Sequence, residues 1–193
     1  PKDPCIAVYG AAMPDFIPSL ESCADHPYLP DTARLEWLAA QVCLEDSAVG
    51  LSADLLSEAA RVHGADNLSF TAQVSLAYLT SQYPIDKIWE FARGSKGEPP
   101  ALNQCQVYLE IANSKEGLRI RALDEARFVF RSSLHAHANL AQAADAACAA
   151  DPLFDLTSAL RSALADGIFM DCYKQTTKSK EATTCCSPRS PVY

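Results

Sequence analysis

The 193-residue sequence has no apolar run approaching the roughly 20 residues that span a bilayer, and no positively charged leader precedes an apolar segment at its start. We therefore expect neither a membrane span nor secretion, and a cytoplasmic location. Basic charge is not in excess either. The formal net charge is -8, which opposes nonspecific attraction to phosphates, because that attraction rests on Lys and Arg displacing counterions. The motifs of common catalytic sites are absent: there is no Walker A loop, no dinucleotide-binding glycine fingerprint, no G-x-S-x-G and no H-E-x-x-H. Eight cysteines occur without a single C-x-x-C pair, the spacing a zinc site would want.

The four histidines do not supply a metal site in its place. His135 and His137 are two residues apart and would point to different sides of a helix, whereas a metal pair on one helix needs a separation of three or four. His26 precedes Pro27 in a connector and reads as a local hydrogen-bonding residue. The acidic residues of the first third show no ordered ligand spacing. The expectation is a binding protein with no catalytic residue, no metal ligand and no cofactor of its own.

Hydrophobic residues make up 49% and charged residues 21%, the balance of a folded globular chain of one large domain or two small ones. The chain opens at Pro1 rather than at a methionine, and its first residues are treated as a cut edge. Charge is unevenly distributed. Residues 1 to 66 hold three basic groups (Lys2, Arg34, Arg61) against eleven acidic ones, and the remainder is balanced. That acidity reads either as a solvated face or as a docking face for a basic partner. Cys43 and Cys148 fall in helical patterns beside apolar residues and are expected to be small buried hydrophobes. Cys185 and Cys186 stand together in the polar tail KQTTKSKEATTCCSPRSPVY and are expected to be exposed and inert.

Apolar periodicity divides the chain. Residues 1–66 read as a helical N-terminal part, with Asp31 as the N-cap of TARLEWLAAQVCLED and Ser52 as the N-cap of a helix ended by Gly64. From residue 67 the pattern changes: Phe70, Ala72, Val74, Leu76 and Tyr78 alternate with a period of two, which predicts a half-buried strand or a bent pair of strands. A helix follows from Pro84 to Gly94. QCQVYLEIA and GLRIRA are then two strands joined by NSKEG, a five-residue connection. Three helices follow, over Leu123 to His135, Asn139 to Ala149 and Asp155 to Asp166, and IFMDC forms a last strand. The fold class is therefore α+β. A helical N-terminal part precedes a winged-helix-like peptide-recognition domain over 67–173, with a small antiparallel sheet and three helices, and residues 174–193 form a polar, mobile tail. Trp37 and Trp89 are the candidate partner-interface residues, since buried aromatics dominate association energies; core packing explains them equally well.

Three stretches carry a family resemblance: HPYLPDTARLEWLAAQV over 26–42, SQYPIDKIWEF over 81–91, and the run from QVYLEI through GLRIRALDEARFVF to DPLFDLTSALRSALADGIF. Together they resemble a family catalogued as a DNA-binding domain, whose members accompany iron-dependent peptide-modifying oxidases of the TIM-barrel kind. These members include the C component of the methanobactin-type oxidase complex and partner proteins from copper-buffering peptide clusters. The resemblance covers roughly residues 10 to 173. The family commonly has a further helical segment ahead of this region, and the tail with Cys185 and Cys186 lies outside its pattern. What the resemblance implies is a non-catalytic accessory subunit in a heterodimer, which holds the leader of a ribosomally made precursor peptide and presents its cysteines to the oxidase. The iron would belong to the oxidase.

The order of elements from Gln104 to Phe169 is also similar to the peptide-recognition units of modified-peptide biosynthesis, in which a leader adds a strand to a small sheet. On that comparison the candidate peptide-binding residues are Leu118, Arg119, Ile120, Arg121 and Ala122 on the edge strand. Leu156, Leu160 and Leu164 would line a facing helix, although the same spacing also fits a core. Leu118 and Ile120 should point to one face and Arg119 and Arg121 to the other. A winged-helix DNA-binding regulator is the alternative. Its recognition helix would need basic side chains, yet LTSALRSALADG carries one, Arg161, and NLAQAADAACAAD none, so DNA is disfavoured. The basic residues cluster instead around the hairpin at Lys115, Arg119, Arg121, Arg127 and Arg131, near Glu116, Asp124 and Glu125, where neutralising pairs are expected. A third reading is a purely structural adaptor of the oxidase.

Overall fold

The structure, a computed structural model, describes residues 6–94 and 98–174; the tail from residue 175, with Cys185 and Cys186, lies outside the described residues. The described chain contains seven α-helices and two small antiparallel sheets. In chain order these are α1 (Ile6–Phe16), α2 (Leu29–Cys43), α3 (Ala53–His63), β1 (Leu68–Ala72), β2 (Leu76–Ser81), α4 (Ile85–Ala92), β3 (Val107–Ser114), β4 (Gly117–Leu123), α5 (Glu125–His135), α6 (Leu140–Ala150), α7 (Leu156–Ala165) and β5 (Phe169–Lys174). No helix among the described residues is long and apolar enough to cross a membrane.

The period-two stretch from Phe70 to Tyr78 is a bent pair of strands that part company. β1 pairs with β5, while β2 joins β3 and β4 in the order β2-β3-β4. Gln73 holds the bend between them. Its side-chain amide donates to the carbonyls of Ala48 and Gly167 at 3.0 and 3.1 Å and accepts from the Ala48 N–H at 2.9 Å, so three segments meet on one side chain.

Alternation along β2, β3 and β4 sorts the side chains onto two faces. Leu79, Leu109, Ile111, Leu118 and Ile120 pack with Leu35, Ala39 and Val42 of α2 and Ile85 of α4. On the other side, Leu76 and Ala112 join a second core made by α3, β1, α5, α6, α7 and β5, where Phe70 stacks on Phe169 with ring centroids 4.8 Å apart. α2 is thus the cover of one sheet face, and α3 belongs to the other core.

Several local signals act as read from the sequence. Ser52, Asn139 and Asp155 each accept a hydrogen bond from the third helical residue, Asn139 within a full capping box. Others are corrected. Asp31 lies inside the first turn of α2, which begins at Leu29 with Pro30 beside it, and its carboxylate accepts the Ser81 hydroxyl at 2.7 Å instead of capping. The β3–β4 connection is a two-residue turn, because Ser114 pairs with Gly117. Gly117, at φ +103°, takes a conformation disfavoured for L side chains. Leu123 ends β4, and α5 begins after Asp124, which caps it. Cys43 and Cys148 are exposed rather than buried. Cys148 sits one residue past Ala147 of the buried stripe Leu140, Ala143 and Ala147, so the 3.6-residue repeat turns it outward; Cys43 is the last residue of its helix.

Candidate functional site: an ionic row behind an open strand edge

β3 is apolar on its α2 face, but its opposite face carries Glu110, whose side chain is only 1% exposed. The register places Tyr78 of β2 on one side of Glu110 and Arg121 of β4 on the other, a row of three across the sheet. The Tyr78 hydroxyl donates to Glu110 Oε2 at 3.1 Å, and Arg121 Nη2 donates to Oε1 at 2.7 Å. α5 adds Arg131, 2% exposed, whose Nη1 reaches Glu110 Oε2 at 2.8 Å. α7 closes the cluster from its C-terminal end. Asp166 accepts from Arg121 at 2.6 Å and from Arg131 at 2.7 Å, while Ser162, one turn earlier, accepts the same Arg131 nitrogen at 3.0 Å.

A carboxylate at the C-terminal end of a helix faces the negative end of the helix dipole, so Asp166 depends on these cations. Burial pushes its carboxyl up, but the hydrogen bonds from Arg121 and Arg131 outweigh this and hold it below its ordinary value. Burial, followed by the charge of Glu110, pushes the Tyr78 phenol well above its ordinary range. Burial, with His137 next, lowers His135, whose ring meets Tyr78 edge-on at 5.5 Å.

The Asp166 and His135 shifts share one sign on acidification, since stability rises with pH wherever the unfolded state binds more protons. Asp166 contributes its full share above the ordinary carboxylate range and loses it as pH falls through its depressed folded value. Unfolded His135 takes a proton before the folded one does, so stability also drops below the ordinary histidine value. Thermal melts across pH are expected to show both declines. Asp166→Asn should lower the midpoint at neutral pH and shrink the more acidic decline; an unchanged profile would refute its role.

The sequence-derived site residues fall into two groups. Arg119 and Arg121 share the ionic face of β4, while Leu118 and Ile120 lie on the opposite face over α2 and α4. Ala122 is exposed. Leu156, Leu160 and Leu164 are half-buried against the second core and do not join Leu118 and Ile120 in one apolar groove; where α7 meets β4, the contact is ionic, through Asp166. Trp37 is half-buried against α1, where a Cβ on Gly10 would fall 2.6 Å from its ring, so only glycine fits. Trp89 packs on the α2-side core, with the Arg93 guanidinium 4.7 Å over its ring.

Of the hairpin cations, Arg127 pairs with Asp124 at 3.5 Å, whereas Arg121 and Arg131 are neutralised by Glu110 and Asp166 rather than by Glu116 or Glu125. Glu110, Tyr78 and Asp166 are the residues sequence reasoning missed. The available signal was a lone charge inside the apolar strand QVYLEIA.

β4 ends the three-stranded sheet, and among the described residues no strand pairs with its outer edge. With Ser114 and Gly117 closing the turn as a hydrogen-bonded pair, Ala112–Arg119 and Glu110–Arg121 are bonded pairs too. The N–H and C=O groups of Leu118, Ile120 and Ala122 therefore point away from β3. The fold and site define a mixed helix-and-strand protein with an open antiparallel edge braced from behind by a buried ionic cluster. No protein-family model, curated protein or solved structure matches this chain.

Proposed function

We propose that this chain is a non-catalytic, winged-helix-like accessory subunit that binds the leader of a ribosomally made precursor peptide and presents its cysteines to an iron-dependent TIM-barrel oxidase, as in methanobactin-like, copper-buffering biosynthesis. The observation that carries this reading is the outer edge of β4, where alternate backbone groups of Leu118, Ile120 and Ala122 are directed at an incoming strand. Main-chain pairing supplies affinity in strand addition, and side chains at alternate positions supply specificity. DNA binding is less well supported, because Arg121 and Arg131 are already engaged with Glu110 and Asp166.

Ala122→Pro tests the edge without touching the core. Ala122 is exposed and its N–H points outward, so proline removes a donor from the free edge while leaving the β3 ladder intact. With synthetic peptides tiling the cysteine-containing open reading frames beside the gene, the substitution is expected to weaken binding about tenfold, the worth of about one backbone hydrogen bond. The melting temperature should hardly change. Peptide binding indifferent to Ala122→Pro, or salt-dependent binding of short duplex DNA in place of peptide, would overturn the reading.

A further inference from the structure

The ionic cluster contains three guanidinium groups, Arg119, Arg121 and Arg131, and two carboxylates, Glu110 and Asp166. Arg121 and Arg131 reach all of those carboxylate oxygens except Asp166 Oδ1 at 2.6–2.8 Å, and Arg121 Nη1 reaches that one at 3.3 Å. Arg119 is left with long contacts, 3.5 Å to Asp166 and 3.9 Å to Glu110, and its side chain is 40% exposed. The cluster is therefore one negative charge short, and the surplus positive charge sits at Arg119.

Arg119 lines a cleft of about 320 Å³ between the β3–β4 turn, the segment at Ser47 to Gly50 and the α7–β5 turn. The cleft is lined by polar and apolar groups alike, and within it the hydroxyls of Ser47 and Ser75 are both directed at the Asn113 carbonyl. Lys115 and Glu116 stand exposed at its rim and offset one another, and Asp166 is already engaged by two arginines. A strand added to β4 would place its residue opposite Arg119 on this same face, since directly paired residues share a face of the sheet.

We propose that the cleft receives a carboxylate of the bound peptide, an acidic side chain that sits on Arg119 and supplies the missing charge. The inference rests on the β4 edge as the peptide site, and it assigns that peptide a preferred acidic residue, placed by register and selected by charge.

The test uses two fluorescein-labelled, blocked heptapeptides of alternating valine and threonine that differ only in a central glutamate or glutamine. Wild-type protein is expected to bind the glutamate peptide about tenfold more tightly at low ionic strength, within the range of a hydrogen bond to a charged group. Arg119→Gln should bind both peptides equally, at the affinity wild type shows for the glutamine peptide. Arg119→Lys should keep part of the preference, and Lys115→Gln nearly all of it. A preference that survives Arg119→Gln, or no preference in wild type, overturns the cleft while leaving the edge reading intact. Acetate and inorganic phosphate titrations followed by amide NMR separate the two ideas further. If neither peptide binds but acetate shifts Ser47, Ser75 and Asn113 in wild type and not in Arg119→Gln, the cleft takes a carboxylate but not one carried by a strand on β4, and the proposal falls with the edge reading. Shifts with phosphate alone, or with neither ion, overturn the cleft as a carboxylate site.

Discussion

Glu110→Ala is expected to cost about 3–5 kcal/mol of folding stability, the range for breaking a buried ion pair by removing one partner. Alanine would leave Arg131, buried beside it, without its Nη1 acceptor, and would take one carboxylate oxygen from Arg121 and the acceptor from the Tyr78 hydroxyl. Asp166 alone would then face two close guanidinium groups. Against a total of about 5–15 kcal/mol for a folded protein, such a loss brings the chain near its unfolding threshold. Urea unfolding measures it directly, and a loss below about 1 kcal/mol, the scale of an exposed pair, would show that the cluster is not the brace described above.

The same cluster is not expected to be the best possible filling for its space. The Nε atoms of Arg121 and Arg131 are buried with no hydrogen-bond partner among the described residues, and a buried ion pair exchanged for apolar side chains of similar volume is often neutral or stabilising. Glu110→Met combined with Arg131→Met and Tyr78→Phe should therefore recover most of what Glu110→Ala loses, with Arg121 still bonded to Asp166. If recovery is seen, folding stability does not require these charges.

Phe70→Ala is the second large effect, expected at about 3–5 kcal/mol. Phe70 is fully buried, packs its ring against Phe169 and belongs to the core to which α5, α6 and α7 contribute, so truncation opens a gap inside that core. Phe70→Leu keeps most of the volume and should cost clearly less. Guanidinium denaturation separates the two. Equal losses would mean that the core closes around the gap, while Phe70→Leu should leave peptide affinity unchanged because Phe70 belongs to the β1–β5 sheet.

What could be read from the sequence was local. Ser52, Asn139 and Asp155 act within one turn of their own helices, and the alternation of Leu118 and Ile120 against Arg119 and Arg121 is a property of one strand. What could not be read depends on distant segments. Asp31 has the chemistry of a cap, yet Ser81, fifty residues on, takes its carboxylate. Phe70 and Tyr78 share an alternation but not a sheet, because the bend at Gln73 is fixed by Ala48 and Gly167. The ionic cluster joins residues 21, 35 and 45 positions apart, so no sequence window contains it. Its trace was Glu110 and Arg131 standing among apolar neighbours, charges that a buried face does not carry alone.

The pairing of β1 with β5 also orders events during synthesis. β2, β3 and β4 are complete once Leu123 has been made, with a hairpin closed across two residues, whereas Leu68 of β1 must wait for Lys174. Loop closure over that separation is far costlier than across the hairpin. The edge strand and its sheet are therefore available to the nascent chain well before the second core can close behind them.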